Sequence, residues 1–372
     1  MKKAKNFNYS DMDFILMAIT IVCAIFGLIM ISSAVKTMDS GNKFLIIQSG
    51  AILIGICAMF IVALIDYDNL GNLSKIIYIG EVFLLVLVLL IGTGKEDVGS
   101  NSWIRFGPIG FQPSEFVKIG FIITFSKHAS LVRDEINKPK NVIMLCLHLF
   151  VILGLILLQP DFGTAMVFIS IFAGIVFVSG ISWKYIVSAI AALVAFVPVA
   201  WFFILQEYQK NRVRVFLNPE SDPLGSGYHV IQSKIAIGSG QIFGRGLYQG
   251  PQTQLGYLPV RHTDFIYSVV GEELGMLGCL VVAVLLFSLV IRCIYDSKVA
   301  KCQFSSKICV GVAFMFLAHI FENIGMCLGL MPVTGIPLPF FSYGGSSVIT
   351  NFVAIGLVMG TFMRRKFIAF NA

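Results

Sequence analysis

Asp264 is the acidic residue whose surroundings most clearly suggest chemistry. It lies in Arg261-His262-Thr263-Asp264, directly before a long apolar run. A carboxylate can accept a proton from a hydroxyl group, so Asp264 is a candidate general base. The alternative is structural, because Thr263 and Asp264 stand where residues that cap a helix N-terminus are found. The sequence leaves both interpretations open at this point.

A second group of polar residues lies before and within an earlier apolar run. Trp103 and Arg105 come first, and Pro113, Glu115 and Lys118 follow. Proline suits the first turn of a helix, and a carboxylate suits the positive end of the helix dipole. Because Glu115 and Lys118 are three residues apart, they share a helix face and can form an ion pair without any ligand. Trp103 can equally be a residue of the aromatic belt at the membrane interface.

Two further stretches carry charge where the chain is otherwise apolar. Asp161 stands in a short turn between two apolar runs, where it can cap the next helix or face the same cavity as Glu115. The segment 207–265 is too long and too patterned for a simple connector, and its basic residues include Arg212 and Arg261. Residues 228–237 within it predict a short helix with a partial apolar face, lying in the membrane interface.

The composition shows which elements must position these residues. Of 372 residues, 57% are hydrophobic and only 13% are charged, against roughly 25% in soluble domains. A soluble domain could not hide so much apolar surface, which excludes a cytosolic enzyme and a disordered chain. The formal net charge of +7 does not indicate nucleic-acid binding, because the basic residues lie mainly in short loops. The eight cysteines include no metal-ligand or redox spacing.

Apolar runs that can cross a bilayer follow one another along the whole chain. They lie near 14–34, 44–65, 74–92, 113–130, 141–159, 163–181, 183–206, 266–294, 306–330 and 346–363. This pattern predicts an all-α polytopic membrane protein with about ten transmembrane helices. We expect one domain over 1–372, with 207–265 as a large extracytoplasmic loop between the seventh and eighth spans. The uncharged, proline-rich segment 331–347 predicts an irregular and re-entrant wall.

The distribution of lysine and arginine predicts the orientation. The short loops opposite the N-terminal side hold only Lys36, Lys43, Lys95 and Arg105, and the loops on the N-terminal side hold many more. Positively charged loops stay in the cytoplasm, so both termini are expected there. Asp264 and the other candidate site residues then face outward.

Several segments together resemble the SEDS proteins (shape, elongation, division and sporulation), and within them the RodA branch more than FtsW. These segments are WIRFG, QPSEFVK, LLQPDFGTA, NPESDPLGSGYHVIQSKIAIGSG, GRGLYQGPQTQLGYLP, RHTDFIYSVVGEELG and MPVTGIPLPFFSYGGSS. The resemblance covers essentially the whole chain.

The resemblance implies a peptidoglycan glycosyltransferase of the bacterial cytoplasmic membrane. Such an enzyme polymerises lipid II into β-1,4 glycan strands for cell-wall elongation and cell shape. A class B penicillin-binding protein is the implied transpeptidase partner, together with other membrane proteins of the elongation complex. The family's catalytic aspartate corresponds to Asp264, and Trp103 matches a position associated with activity. Arg105, Glu115, Lys118 and Asp161 match positions of the family motifs.

The chemistry of this transfer agrees with the residues present. Lipid II carries its sugar on an α-linked diphosphate and the product is β-linked, so one displacement inverts the anomeric carbon. The acceptor hydroxyl needs a base, which Asp264 can supply. The departing diphosphate needs positive charge from arginine, lysine or a divalent cation such as Mg²⁺ or Mn²⁺. The candidates are Arg105, Lys118, Arg212, Arg214 and Arg261, and the sequence does not decide whether a metal is required.

Two other functions remain as alternatives. A lipid II flippase would need polar groups along a path through the whole bilayer, whereas the sequence places them mainly at the outer face. A non-catalytic scaffold of the elongation complex would leave the outer acidic residues dispensable.

Overall fold

The computed structural model describes residues 12–93, 102–106, 109–204, 207–223 and 225–365, and the elements named here belong to these ranges. The helices are α1 (Phe14–Ala34), α2 (Gly41–Leu64), α3 (Tyr67–Asn72), α4 (Ser74–Ile91), α5 (Pro113–Leu131), α6 (Pro139–Leu157), α7 (Phe162–Val178), α8 (Trp183–Val199), α9 (Glu207–Leu217), α10 (Ser226–Ser239), α11 (Pro251–Gln254), α12 (Ile266–Val299), α13 (Gln303–Leu328) and α14 (Gly345–Met363). Short strands β1 (Ile104–Phe106) and β2 (Ile109–Phe111) form an antiparallel hairpin. The all-α prediction is confirmed, and the hairpin is an addition to it.

The long apolar helices agree with a multi-pass membrane protein. Among the described residues, eight helices are long and apolar enough to cross a bilayer. The apolar helix α7 is shorter, with 17 residues, and α5 carries Glu115, Lys118 and Lys127. Each predicted run overlaps one helix, while the number of crossings stays a prediction.

Local signals set several helix starts as the sequence predicts. Pro113 lies in the first turn of α5, and Glu115 lies beside it. The Asp161 carboxylate accepts a hydrogen bond from the Thr164 backbone N–H and so caps α7. The same type of cap begins α1, where Asp13 accepts from two backbone N–H groups. Such caps satisfy donors that a helix leaves free in its first turn.

Helix α13 is the central element of the bundle. It packs against α5, α7, α10, α12 and α14, and most of its residues are buried. Helix α8 is the opposite case, because none of its residues is buried within the chain. An apolar helix that buries none of its residues against the rest of the chain needs lipid around it.

The segment 332–344 between α13 and α14 is irregular, as the sequence predicts. Its residues Phe340 and Phe341 are buried and reach Gly27 of α1. Gly27 lies seven residues before the end of α1, which corresponds to about 10 Å along the helix axis. The segment therefore turns into the bundle, and its backbone is covered by protein, as irregular structure at this depth requires.

Replacing Gly27 with alanine should destabilise this arrangement. An added Cβ would overlap the carbonyl oxygen of Phe340, a backbone atom that cannot move without shifting the whole segment. We expect a lower thermal unfolding temperature in detergent. Gly50→Ala in α2 is the matched control, because no atom lies within 4 Å of its added Cβ. If both variants unfold at the wild-type temperature, the close approach at Gly27 is not required.

Much of the segment 207–265 is ordered against the bundle. The predicted short helix is confirmed as α10, and its Ser233 hydroxyl bonds to the Ser268 hydroxyl of α12 and donates to the Cys327 carbonyl of α13. Helix α12 is broken at Gly275, where φ is +67°. Met276 and Leu277 donate backbone hydrogen bonds there to the carbonyls of residues 241 and 242.

Candidate functional site

Buried glutamates of α12 hold the segment that leads to Asp264. The Glu272 carboxylate accepts from the backbone N–H groups of Gln252 and Thr253, at 2.6 and 2.9 Å, and so anchors the start of α11. The Glu273 carboxylate accepts from the hydroxyl of Ser33 in α1, at 2.6 Å. These charge-assisted bonds connect the outer segment to α12 and α1.

Asp264 lies between α12, α13 and the irregular segment. Its backbone carbonyl accepts a 2.8 Å hydrogen bond from the Asn323 side chain of α13. Its Oδ2 atom faces Gly335, where an added Cβ would lie at 3.5 Å. The backbone of the preceding residue, Thr263, is held in the same way, because its carbonyl accepts from the Ser342 hydroxyl at 2.6 Å. The backbone around Asp264 is therefore fixed on two sides.

The Asp264 carboxylate does not cap α12. The N-cap of that helix is Phe265, and the described residues provide no side-chain hydrogen bond to it. The capping interpretation left open by the sequence is therefore wrong. Burial raises the pKa of the Asp264 carboxyl to about 6, and a hydrogen bond from the Thr263 side chain opposes this rise. Because the Asp264 carboxylate has a raised pKa and does not cap a helix, it is available for proton transfer.

The two basic neighbours of Asp264 have different surroundings. Arg261 is buried, and it donates to the carbonyl of Ala34 at 2.7 Å and to the hydroxyl of Thr37 at 2.9 Å. It thus joins the Asp264 segment to the end of α1. Burial and the charge of Arg261 lower the pKa of His262 to about 4, so His262 is neutral at pH 7.

A buried polar cluster joins α5 to α13. The Lys118 ammonium lies 2.8 Å from Oε1 of Glu115, which confirms the ion pair within the helix. The same ammonium lies 2.8 Å from Nε2 of His319. The other ring nitrogen of His319 lies 3.0 Å from the carbonyl oxygen of Pro337. Because a carbonyl only accepts, Nδ1 carries the proton, and Nε2 accepts from Lys118.

Asp161 and Glu322 extend this cluster. Gln112 donates to the Asp161 carboxylate at 3.4 Å, and the Asp161 charge interacts with those of Lys118 and Glu115. Glu322 is 6% exposed, and its charge interacts with those of Lys118 and Asp161. Its carboxylate faces the Thr334 side chain of the irregular segment. The cluster thus holds more acidic than basic side chains, and His319 and Glu322 connect it to the irregular segment.

Three other predicted site residues, Trp103, Arg105 and Arg212, lie at or next to the hairpin and in a crevice beside α9. Arg105 is exposed on β1 and pairs in register with Gly110 of β2. Trp103 is partly buried, and its ring covers Gly110. The hairpin leads into Gln112, whose backbone N–H donates to the Ser346 hydroxyl at the start of α14. Arg212 lines a crevice between α9, α10 and Met331–Val333.

The structure therefore brings Glu115, Lys118 and Asp161 into one group and leaves Asp264 outside it. The segment Thr334–Pro337 separates the two. Gly335 faces Asp264, whereas Thr334 and Ile336 lie against Gly163 at the start of α7. Arg261 does not join the cluster, because its guanidinium is turned toward the end of α1.

Sequence reasoning missed three buried polar residues of α13 that lie at the candidate site: His319, Glu322 and Asn323. All lie inside an apolar run, and their spacing of three and four residues puts them on one helix face. Ionisable and amide side chains inside a transmembrane run indicate a functional site by default. That spacing was the signal available in the sequence.

A metal site is not evident from the described residues. Within ranges 12–93, 102–106, 109–204, 207–223 and 225–365, no group of three or more histidine, cysteine, aspartate or glutamate side chains could hold a metal ion. The positive charge identified near the cluster is the Lys118 ammonium.

The fold and the site define a helical membrane protein in which an irregular segment lies between a carboxylate, that of Asp264, and a buried ammonium, that of Lys118. The family model of the FtsW, RodA and SpoVE proteins, described as cell cycle protein, matches residues 13–366. The chain therefore belongs to this family, and the resemblance found in the sequence is confirmed.

Individual relatives match over nearly the whole chain. The peptidoglycan glycosyltransferase MrdB of Escherichia coli is 35% identical over 354 residues, which cover 94% of each protein. A chain of a peptidoglycan synthase complex, solved to explain how polymerization and crosslinking are coordinated, superposes with a TM-score of 0.81 at 32% identity, covering 94% of this chain and 97% of that one. The rod shape determining protein RodA of Thermus thermophilus gives 0.73 at 27% identity, covering 97% and 99%.

Proposed function

We propose that the chain is a peptidoglycan glycosyltransferase that polymerises lipid II into β-1,4 glycan strands for cell-wall elongation and cell shape. The observation that carries the proposal is the setting of Asp264. A hydrogen bond to its backbone carbonyl fixes the residue, and its carboxylate does not cap a helix. The names of the relatives support the same activity. The chain forms one domain, both termini lie in the bacterial cytoplasm, and Asp264 faces outward.

In the proposed mechanism, Asp264 accepts the proton of the acceptor 4-hydroxyl as that oxygen attacks the anomeric carbon of the donor. The bond to the diphosphate breaks on the opposite face, so the α-linkage becomes β in one step. Lys118, Arg105 and Arg212 supply positive charge for the departing oxygens, which become more negative in the transition state. Since the leaving diphosphate needs no strong acid, a second catalytic carboxylic acid is unnecessary.

The other predicted substrate-binding residues have supporting roles in this proposal. Glu115 and Asp161 orient Lys118 and Gln112, while Trp103 contributes an apolar surface on the hairpin. Arg261 acts mainly through the backbone, because it holds the Asp264 segment against α1. The polyprenyl chain of lipid II enters from the side, through an apolar groove between helices.

The proposed partner is a class B penicillin-binding protein, which crosslinks the strands that this chain polymerises. The similarity to a chain of a synthase complex that coordinates polymerization and crosslinking supports this assignment. Other membrane proteins of the elongation complex are expected to bind as well.

One observation favours the second candidate, a lipid II flippase. A hydrogen-bonded chain of buried and partly buried side chains joins α4, α5 and α6. Its contacts are Glu81 to Thr124 at 3.2 Å, Thr124 to His148 at 3.3 Å, and His148 to His128 at 3.1 Å. That polar groups gather mainly at the outer face stays a prediction, and this hydrogen-bonded chain is a second place where α4, α5 and α6 bring buried polar side chains together. Such a chain is what a path through the bilayer would require.

Polymerisation of purified lipid II in detergent separates these candidates. Detergent micelles provide no second leaflet, so a flippase produces no glycan there, whereas the transferase does. The assay should be run with and without the transpeptidase partner. Glycan formed only when a separate polymerase is added would contradict the transferase.

The pH dependence of polymerisation should report Asp264. Because burial raises the pKa of its carboxyl to about 6, the base is protonated and inactive below that pH. We expect kcat/KM for lipid II, which reports the free enzyme, to fall with a midpoint near pH 6, about two pH units above an ordinary aspartate. A midpoint near pH 4 would show that Asp264 is not buried in the working enzyme.

A further inference from the structure

We propose that His319 and Asn323 of α13 are positioning residues that set the distance between Lys118 and Asp264, by holding the segment Thr334–Pro337 between them. This inference rests on the proposed function, because it assigns Lys118 to the donor diphosphate and Asp264 to the acceptor hydroxyl. It adds that hydrogen bonds through the segment connect Lys118 to Asp264, and that the residues making these bonds contact neither substrate.

Asn323 holds the Asp264 side of this link. Its side-chain amide donates two hydrogen bonds of 2.8 Å, one to the carbonyl of Asp264 and one to the carbonyl of Ile336. Its carbonyl oxygen lies 3.9 Å from the sulfur of Cys327, one helical turn further on. Asn323 is fully buried, and both of its N–H donors are committed to backbone oxygens on different segments. Its position therefore fixes Asp264 relative to Ile336.

His319 holds the Lys118 side. Its Nδ1 donates to the carbonyl of Pro337 at 3.0 Å, and its Nε2 accepts from Lys118 at 2.8 Å. The ring is 1% exposed, so water cannot replace either bond. The imidazole thus connects the segment to the ammonium in the same way that Asn323 connects it to the base.

The two side chains act on the same piece of backbone. His319 and Asn323 are four residues apart and share one face of α13, and they bind the consecutive carbonyls of Pro337 and Ile336. This segment has no regular secondary structure, so its carbonyls depend on side chains for hydrogen bonds. Because α13 is the central helix of the bundle, it provides a rigid support for both contacts.

The two links predict different kinetic effects. Loss of the Asn323 bonds should displace Asp264 and lower kcat by about 100-fold, since a shift of about 1 Å in a reacting group has an effect of this size. Loss of the His319 bonds should leave the base in place and weaken donor binding, seen as an approximately 10-fold rise in KM for lipid II. A fold defect would instead reduce the amount of folded protein and leave the kinetics per folded molecule unchanged.

The test compares Asn323→Leu and His319→Leu in the full-length protein with its partner, using purified lipid II. Asn351→Leu in α14 is the matched control, because Asn351 is also a buried asparagine and its side-chain nitrogen has no hydrogen-bond partner among the described residues. His319→Gln is the conservative variant, since its amide offers one donor and one acceptor. It should recover a KM closer to wild type than His319→Leu does.

The pH at which polymerisation falls on the acidic side gives a second measurement. The titratable groups next to Asp264 are Cys327 of α13 and, on its own loop, Arg261 and His262. Asn323→Leu leaves all of them in place but releases the Asp264 backbone, so the carboxylate can move toward water and the midpoint should move below pH 6. His319→Leu should leave that midpoint unchanged.

The inference is overturned if both leucine variants show wild-type kcat and KM per folded molecule, or if both change the same parameter. It is distinguishable from failure of the proposed function. An active wild-type protein with an inactive Asp264→Asn variant and an unaffected Asn323→Leu variant contradicts only the positioning roles. A wild-type protein that makes no glycan contradicts the proposed function itself.

Discussion

Replacing Asp264 with asparagine is expected to reduce lipid II polymerisation by about 10²–10⁴-fold, the usual contribution of a general base. Asparagine keeps the shape of the side chain but cannot accept the proton of the acceptor hydroxyl. The backbone bonds that hold this position come from Asn323 and Ser342 and remain in the variant. Folding and partner binding should therefore be preserved. Initial rates of glycan formation, normalised to folded protein, measure the effect.

Asp39→Asn is the control for this experiment. Asp39 is an exposed acid that lines a separate crevice with Lys36 and Tyr248. Asp39→Asn changes the net charge by the same amount as Asp264→Asn does, and it should leave the polymerisation rate close to wild type. If Asp264→Asn polymerises at the wild-type rate, Asp264 is not the base. Equal losses in both variants would indicate a general electrostatic effect.

Replacing Lys118 with methionine should have the largest combined effect on stability and activity. The ammonium is 1% exposed and is bonded to Glu115 and His319. Its removal leaves the Glu115 carboxylate buried without a partner, which costs about 3–5 kcal/mol of unfolding free energy. Polymerisation should be lost as well, because the positive charge proposed to act on the diphosphate is gone. Thermal unfolding in detergent and lipid II saturation curves measure the two effects.

The double variant Lys118→Met with Glu115→Gln separates stability from catalysis. It removes both charges together, and replacing a whole buried ion pair is often close to neutral for stability. We expect the unfolding temperature to recover toward wild type while polymerisation stays lost. Recovery of both would show that Lys118 serves only the fold. Recovery of neither would show that the contact with His319 stabilises the bundle more than the ion pair does.

Local features of the site follow from the sequence because they depend on residues close together in the chain. The ion pair of Glu115 and Lys118 follows from a spacing of three residues on a helix. The cap formed by Asp161 follows from its position directly before an apolar run. Asp264 was recognised in the same way, although its two local interpretations, base or cap, could not be separated until the start of α12 was known.

The contacts between distant segments could not be predicted in this way. Asn323 and Asp264 are 59 residues apart, and Lys118 and His319 are 201 apart. Arg261 was expected near the substrate, whereas its guanidinium bonds to the end of α1, 227 residues away. Each of these contacts depends on which helices are neighbours and on how they are rotated, and an all-apolar helix carries little information about either.

The sequence by itself determined the membrane class, the positions of the helices, the family and the identity of the candidate base. Hydrophobic run length and short-range spacing encode these properties directly. Only the tertiary structure decided that Lys118 and Asp264 lie on two sides of one irregular segment and that α13 holds them both. The physical reason is that buried polar groups must find partners where the packed helices place them, and that placement is a property of the whole bundle.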